Sequence, residues 1–174
     1  MLILGMCGSL RQDSYNRRLL DAAGAMLPDD GRLEIFDGLA GIPPYNEDTP
    51  APKEVLRLRE ELAAADAVLI ATPEYNASVP GQLKNALDWA SRPFPDNALR
   101  GRPAAVIGAS TGLFGAVWAQ AELRKVLQAI GASVLEAELP VGQADEAFGA
   151  DGKLVDVELS ERLAKILKEL VASV

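Results

Sequence analysis

The sequence has no histidine. Ser-His-Asp and Cys-His catalysis are therefore closed to it, as are zinc sites built on imidazole. Its one cysteine, Cys7, allows neither an internal disulfide nor a CxxC redox pair. Cys7 reads as small, buried filler. Long apolar runs are missing too: Ala63–Ala65 and Ala67–Thr72 are interrupted by Asp66, and nothing approaches the roughly 20 residues of a membrane span. The N-terminal Met1-Leu2-Ile3-Leu4-Gly5 has no basic region before it and does not read as a signal peptide, so a cytoplasmic protein is expected. Basic residues are outnumbered, 17 against 25 acidic, for a net charge of −8. That balance argues against a broad nucleic-acid or anionic-membrane surface. A local anion site stays open, because backbone amides and one or two side chains suffice to make one. The chemistry left is that of a bound cofactor, of carboxylates, of Lys, Tyr or Ser, or of backbone amides.

What is present is a regular alternation. The 174 residues suit one domain, 1–174, with a full hydrophobic core. No repeat, low-complexity segment or linker divides the chain. Strand patterns at Leu2–Met6, Arg32–Phe36, Ala67–Ala71, Ala104–Gly108 and Ser133–Leu139 alternate with helical patterns. The helices fall at Asn16–Leu27, Lys53–Ala65, Pro80–Ala90, Ala116–Ile130 and Glu158–Val171. Pro80 suits a first helical turn, and Gly131 a left-handed helix end. The last helix carries a stripe of Leu159, Leu163, Ile166, Leu167, Leu170 and Val174. Five strands alternating with five helices predict an α/β fold, a parallel sheet with helices on both faces. Right-handed crossovers favour the flavodoxin-like order 2-1-3-4-5, in which ligands bind beyond the carboxyl ends of the strands beside strand 1.

Three loops fall at that edge. The first, Gly8-Ser9-Leu10-Arg11-Gln12-Asp13-Ser14-Tyr15-Asn16, follows a buried strand and opens a helix. Hydroxyls, an amide, a fixed cation and free helix N–H groups suit it to a phosphate. Without a ligand it reads as a plain helix cap on Ser14 or Asp13. It is neither a Walker loop nor a GxGxxG fingerprint. The second, Thr72-Pro73-Glu74-Tyr75-Asn76-Ala77-Ser78-Val79-Pro80-Gly81, is stiffened by two prolines. It suits a flat ligand whose heteroatoms meet backbone N–H groups, or else is an ordinary strand–helix connection. The third, Gly108-Ala109-Ser110-Thr111-Gly112, matches the G-x-S-x-G nucleophile elbow. With no histidine that reading fails, and a Gly-rich turn lying close against a bound ring is the better one.

Taken together, the motifs resemble the NADPH-dependent FMN reductase family, which includes quinone, chromate and azo-dye reductases. The resemblance rests on Gly8-Ser9-Leu10-Arg11 with Ser14, Asn16 and Leu20, on Pro73-Glu74-Tyr75-Asn76, and on Pro80-Gly81 followed by Lys84-Asn85-Ala86 and Asp88-Trp89. It spans nearly the whole chain in order. It implies FMN as cofactor, NADPH or NADH as electron donor, and a small-molecule electron acceptor. It also implies a phosphate held by Ser9, Arg11, Ser14 and Asn16, and a ring and ribityl chain lined by Pro73, Glu74, Tyr75 and Asn76. Ser110, Thr111 and Gly112 match the third flavin loop. Lys84, Asn85, Asp88 and Trp89 read as structural support.

The implied mechanism is a ping-pong hydride transfer in which the flavin carries the chemistry, and no side chain is singled out as catalytic. Two other readings stand beside it: an FMN electron carrier without NAD(P)H oxidase activity, and a flavin-free nucleotide-binding module. The family forms homodimers and homotetramers. On the fourth helix Leu123, Val126, Leu127 and Ile130 form the core stripe and Trp118 faces away, as an interface anchor or as a side chain covered by the next loop.

Overall fold

The computed structural model describes residues 1–174. Its strands are β1 (Leu2–Cys7), β2 (Arg32–Phe36), β3 (Ala67–Thr72), β4 (Pro103–Ala109), β5 (Ser133–Val134) and β6 (Pro140–Val141). All pair in parallel, in the order β2-β1-β3-β4-β5, with β6 also on β4. The flavodoxin-like order expected from the alternation is the order found.

The period of two along the central strands explains why helices cover both faces. Leu4 and Met6, Val68 and Ile70, and Ala104 and Val106 point to one side. There they meet α2 (Lys53–Ala64), α3 (Gly81–Ala90) and α4 (Val117–Ile130) through Leu58, Leu62, Leu83, Leu87, Leu123 and Leu127. Ile3, Ala67, Leu69, Ala71, Ala105 and Ile107 point the other way. They meet α1 (Tyr15–Ala25) and α5 (Val157–Ala172) through Leu19, Leu20, Leu163, Ile166, Leu167 and Leu170. Val174, assigned from the sequence to the α5 stripe, is exposed because the helix ends two residues earlier. Pro80 stands one position outside α3, as its N-cap.

The fifth strand departs from expectation. The run Ser133–Leu139 is not continuous: only Ser133 and Val134 pair with Pro103 and Ala104, and pairing resumes at Pro140 and Val141 opposite Gly108 and Ala109. Between the two pieces β4 advances through Ala105–Ile107, while the edge chain advances through Leu135–Leu139. The two surplus residues must leave the ladder, as in a bulge at a sheet edge. Gln120 of α4 fills the gap. It is fully buried and its Nε2 donates to the Gly115 and Leu139 carbonyls at 2.9 and 3.2 Å, while its Oε1 accepts from Leu139 N–H at 3.0 Å. A side chain thus satisfies the Leu139 N–H, which a regular strand would have paired with its neighbour, while the Leu139 carbonyl also accepts from Gly108 N–H at 3.1 Å.

Other connections are fixed the same way. A 3-10 turn at Leu39–Gly41, in a segment that reads as loop, leads to Pro43. The Pro43 carbonyl accepts from both Asn85 Nδ2 and Trp89 Nε1 at 2.9 Å, and Asn85 Oδ1 accepts from Tyr45 N–H at 2.7 Å. Lys84 pairs with Asp88 one turn on. These four α3 side chains have the supporting role read from the sequence.

Replacing Gln120 by Ala leaves the Leu139 N–H without its partner and opens a cavity. The expected loss is about 2–4 kcal/mol of unfolding free energy, measured by urea denaturation.

Candidate functional site

The loops after β1, β3 and β4 converge on a cleft of about 140 Å³. Its walls include Ser9, Arg11, Ser14 and Asn16 from the first loop, Pro73, Glu74 and Tyr75 from the second, and Ser110 and Thr111 from the third. Of the residues singled out in the sequence, Asn76 and Gly112 lie outside this lining. Tyr15 and Ala109 line the cleft without having been singled out. Both adjoin residues that were, one place after Ser14 and one before Ser110.

The first loop is a helix start aimed into the cleft. Ser14 caps α1, its hydroxyl accepting from Arg17 N–H at 3.4 Å. The N–H groups of Tyr15 and Asn16 lie in the first turn, where no intrahelical carbonyl reaches them. Arg11 is exposed and has no carboxylate partner, which leaves a free cation beside free amides. That combination favours a dianion in a protein that is acidic overall. Gly8 lets the loop sit close to its neighbour: a Cβ there would lie 2.9 Å from Leu83 Cδ2 and 3.1 Å from Pro73 Cδ.

Asn16 has a different part from the other polar groups. Its side chain is buried; Nδ2 donates to the Ala109 carbonyl and Oδ1 accepts from Ala109 N–H, both at 2.9 Å. The side-chain amide is thereby committed to tying α1 to the end of β4, and Asn16 offers the cleft its backbone. Cys7, expected as buried filler, is half-buried. Its thiol lies 3.4 Å from the Ser9 carbonyl and 3.6 Å from Ser14 Oγ.

The second loop folds back on itself. Tyr75 and Ser78 exchange backbone bonds of 3.1 and 3.2 Å around Asn76 and Ala77, whose φ values are 54° and 60°. Two left-handed residues between paired neighbours make the tight type I′ reversal. The N–H groups at its tip have no partner within the chain. Two carboxylates pin this hairpin to α4. Glu74 Oε2 accepts from Trp118 and Ala119 N–H, each at 3.1 Å, capping a helix whose own N-cap residue, Ala116, offers no side-chain bond. Glu122 Oε2 accepts from Ser78 Oγ at 2.6 Å and from Val79 N–H at 3.2 Å. The Ser78 hydroxyl, and after it the Val79 N–H, hold the Glu122 carboxyl below its usual range. No local pattern in the sequence marks Glu122, because its partners lie more than 40 positions away.

The third loop is pressed against the sheet edge. Gly115, at φ 58°, sits where a Cβ would fall 2.4 Å from the Pro140 carbonyl carbon, so no other residue fits without moving the loop. Ser110 Oγ accepts from Gly112 N–H at 3.1 Å. Beyond it stand exposed apolar side chains, Leu113, Phe114 and Trp118, with Tyr75 exposed on the neighbouring loop. The rings of Phe114 and Trp118 meet edge to face at 5.2 Å. Trp118 is half exposed, so no loop of its own chain covers it.

A doubly wound parallel sheet with a cleft at the strand ends beside strand 1, facing the start of α1, defines a flavodoxin-like protein. Residues 1–146 match the family model for NADPH-dependent FMN reductases, and the chain belongs to that family. It is 45% identical over 172 residues to an NAD(P)H-dependent FMN reductase of Pseudomonas aeruginosa, spanning 97% of this chain and 92% of the relative. It is 36% identical to a 2-hydroxy-1,4-benzoquinone reductase of a Burkholderia species, spanning 95% and 91%. Among solved structures it resembles the flavoenzyme NAD(P)H:(acceptor) oxidoreductase FerB of Paracoccus denitrificans. The TM-score there is 0.86 at 38% identity, over 98% of this chain and 95% of that one.

Ala77 is the strained member of the hairpin, since a left-handed residue other than Gly or Asn carries a steric cost. Ala77→Gly is expected to stabilise the protein by about 0.5–1 kcal/mol in thermal or urea unfolding.

Proposed function

We propose that this chain is an FMN-dependent NAD(P)H oxidoreductase that passes reducing equivalents to a small-molecule acceptor of the quinone class. The observation that carries the proposal is the convergence, in one cleft, of the free α1 amides with Arg11, the reversed Tyr75–Ser78 hairpin and the third loop. Family membership and the quinone-reducing relative agree with it.

The residues fit the cofactor. Ser9, Arg11, Ser14 and the first-turn N–H groups of α1 would hold the phosphate, with charge-assisted bonds from Arg11. Pro73, Glu74, Tyr75 and Asn76 would line the ring and ribityl chain, with backbone amides at the hairpin tip beside the ring's polar edge. Ser110, Thr111 and Gly112 would border its other side. Bound FMN would supply the two-electron redox chemistry that these residues do not. The chain's part is to orient, through the Glu74 and Glu122 clamp on the hairpin, and to present fixed N–H dipoles where negative charge gathers.

The cleft's openness shapes the order of events. About 140 Å³ is well below the roughly 300–1,000 Å³ of pockets that enclose a ligand. Donor and acceptor would use the open side of this cleft in turn, as a ping-pong cycle requires. The exposed cluster of Phe114, Trp118 and Tyr75 at the mouth supports assembly into a homodimer or homotetramer that covers this rim. No helix is long and apolar enough to cross a membrane.

The phosphate assignment is tested by binding. Arg11→Ala should weaken FMN by about tenfold or more and leave riboflavin, which lacks the phosphate, nearly unchanged in fluorescence titration. Equal loss for both ligands would place Arg11 elsewhere. With FMN bound, the protein should consume NADPH or NADH when given a benzoquinone; reduction of neither donor would favour a pure electron carrier. Trp118→Glu should lower the oligomer mass seen by light scattering, and an unchanged mass would remove Trp118 from the interface.

A further inference from the structure

A second cleft, of about 220 Å³, lies on the opposite flank of the loop after β1. It shares Ser9 and Arg11 with the first cleft, so this one loop divides the two. The sheet order explains the division. The first cleft draws on the ends of β1, β3 and β4, whereas the second lies over the ends of β1 and β2, with the Leu39–Gly41 turn behind it. Anything bound in the second cleft and reaching Arg11 touches the group that occupies the proposed phosphate site.

The walls are chemically mixed in a way that suits a nucleoside. Leu10, Leu39 and Ala40 offer apolar surface, and the Arg17 guanidinium borders it. Arg17 contacts only Asp21, at 3.4 Å, in a pair about half exposed on both sides. Such a pair is worth little, and Arg17 is free to lie over a flat ring. Asp37 follows β2 directly. One of its carboxylate oxygens is bonded to Arg57 and the other has no partner, with most of the side chain exposed. In Rossmann dinucleotide sites an acidic group past the second strand binds the ribose hydroxyls, and Asp37 offers a free carboxylate oxygen at the corresponding strand end.

We propose that the second cleft takes the adenylate half of FAD, so that this chain binds FAD as well as FMN, with the pyrophosphate astride Ser9 and Arg11. The inference rests on the reading of the first cleft as the FMN site. An adenosine phosphate continuing from the flavin phosphate needs no new path between the clefts, because Ser9 and Arg11 belong to both. A nicotinamide dinucleotide fits less well. Its nicotinamide would have to reach the Tyr75 side of the first cleft, and the β1 loop separates that side from the second cleft. A free adenine nucleotide shares the adenylate chemistry and is separated by the test.

Isothermal titration calorimetry on the flavin-free protein, with FMN and FAD in turn, tests the proposal. AMP is titrated into the FMN-loaded protein as a third arm. FAD is expected to bind within about tenfold of FMN. Ala40→Trp fills the second cleft without touching the lining of the first, and should weaken FAD by about tenfold or more while leaving FMN unchanged. Asp37→Asn keeps the shape of the wall, and should weaken FAD several-fold with FMN again unaffected. AMP should give no binding heat. FAD much weaker than FMN in the unaltered protein, or FAD binding indifferent to both substitutions, overturns the proposal. AMP binding to the FMN-loaded protein would instead assign the cleft to free adenine nucleotides. Failure of FMN itself to bind the unaltered protein would show up separately, and would overturn the first-cleft reading together with this one.

Discussion

The paired hydrogen bonds between the Asn16 side chain and the Ala109 backbone are the constraint on which the site depends. They are buried and link the start of α1 to the end of β4, which is two strands away from β1 in the sheet. A buried amide that satisfies both the N–H and the carbonyl of one residue has a single geometry, and losing either bond strands a polar group in the core. The first and third loops are therefore fixed relative to each other before any ligand arrives, with the second loop lying between them.

The second loop is buried at its ends, Pro73 and Val79–Pro80, and its exposed tip is held by charges. Glu74 reaches forward to the N-terminus of α4, where a carboxylate compensates both the unpaired N–H groups and the helix dipole. Glu122 reaches back from α4 to Ser78 and Val79. The hairpin is gripped from both ends, so the backbone N–H groups at its tip hold their positions although the tip itself is exposed. Gly115 completes the arrangement by letting the third loop lie directly on the β6 backbone. Each loop thus has its own anchor, and Asn16 and Glu74, although they line the cleft, spend their side-chain bonds on distant backbone groups. Such preorganisation serves a cofactor whose own electronics carry the reaction and which asks of the protein mainly position and fixed dipoles.

An acidic protein with a dianion site has to make that site locally. The net charge of −8 is offset at the cleft by the α1 amides and by Arg11, while Glu74, the carboxylate on the cleft wall, is turned toward the α4 amides. Tyr75 on the cleft wall is exposed, as are Phe114 and Trp118 after the third loop.

Much of this was legible in the sequence. The alternation of strand and helix, with its turn residues, specified the sheet order, because a parallel sheet with right-handed crossovers leaves few alternatives to 2-1-3-4-5. The β1 and β3 loop motifs pointed to Ser9, Arg11, Ser14, Pro73, Glu74 and Tyr75, which the structure brings to one cleft because each loop follows a strand whose end is fixed. The tertiary structure alone decided three things. It split the fifth strand, since two surplus residues opposite Ala105–Ile107 become visible only when the register is known. It turned the side chains of Asn16 and Glu74 toward backbone groups distant in sequence, and brought Glu122 and Gln120 into service on partners that no local pattern links to them. It also made two adjoining clefts of what reads along the chain as one loop, because which strand ends flank that loop is a property of the sheet. Periodicity and turn chemistry are local and can be read from neighbours in the chain, whereas a hydrogen bond between residues far apart in sequence exists only once the fold has brought them together.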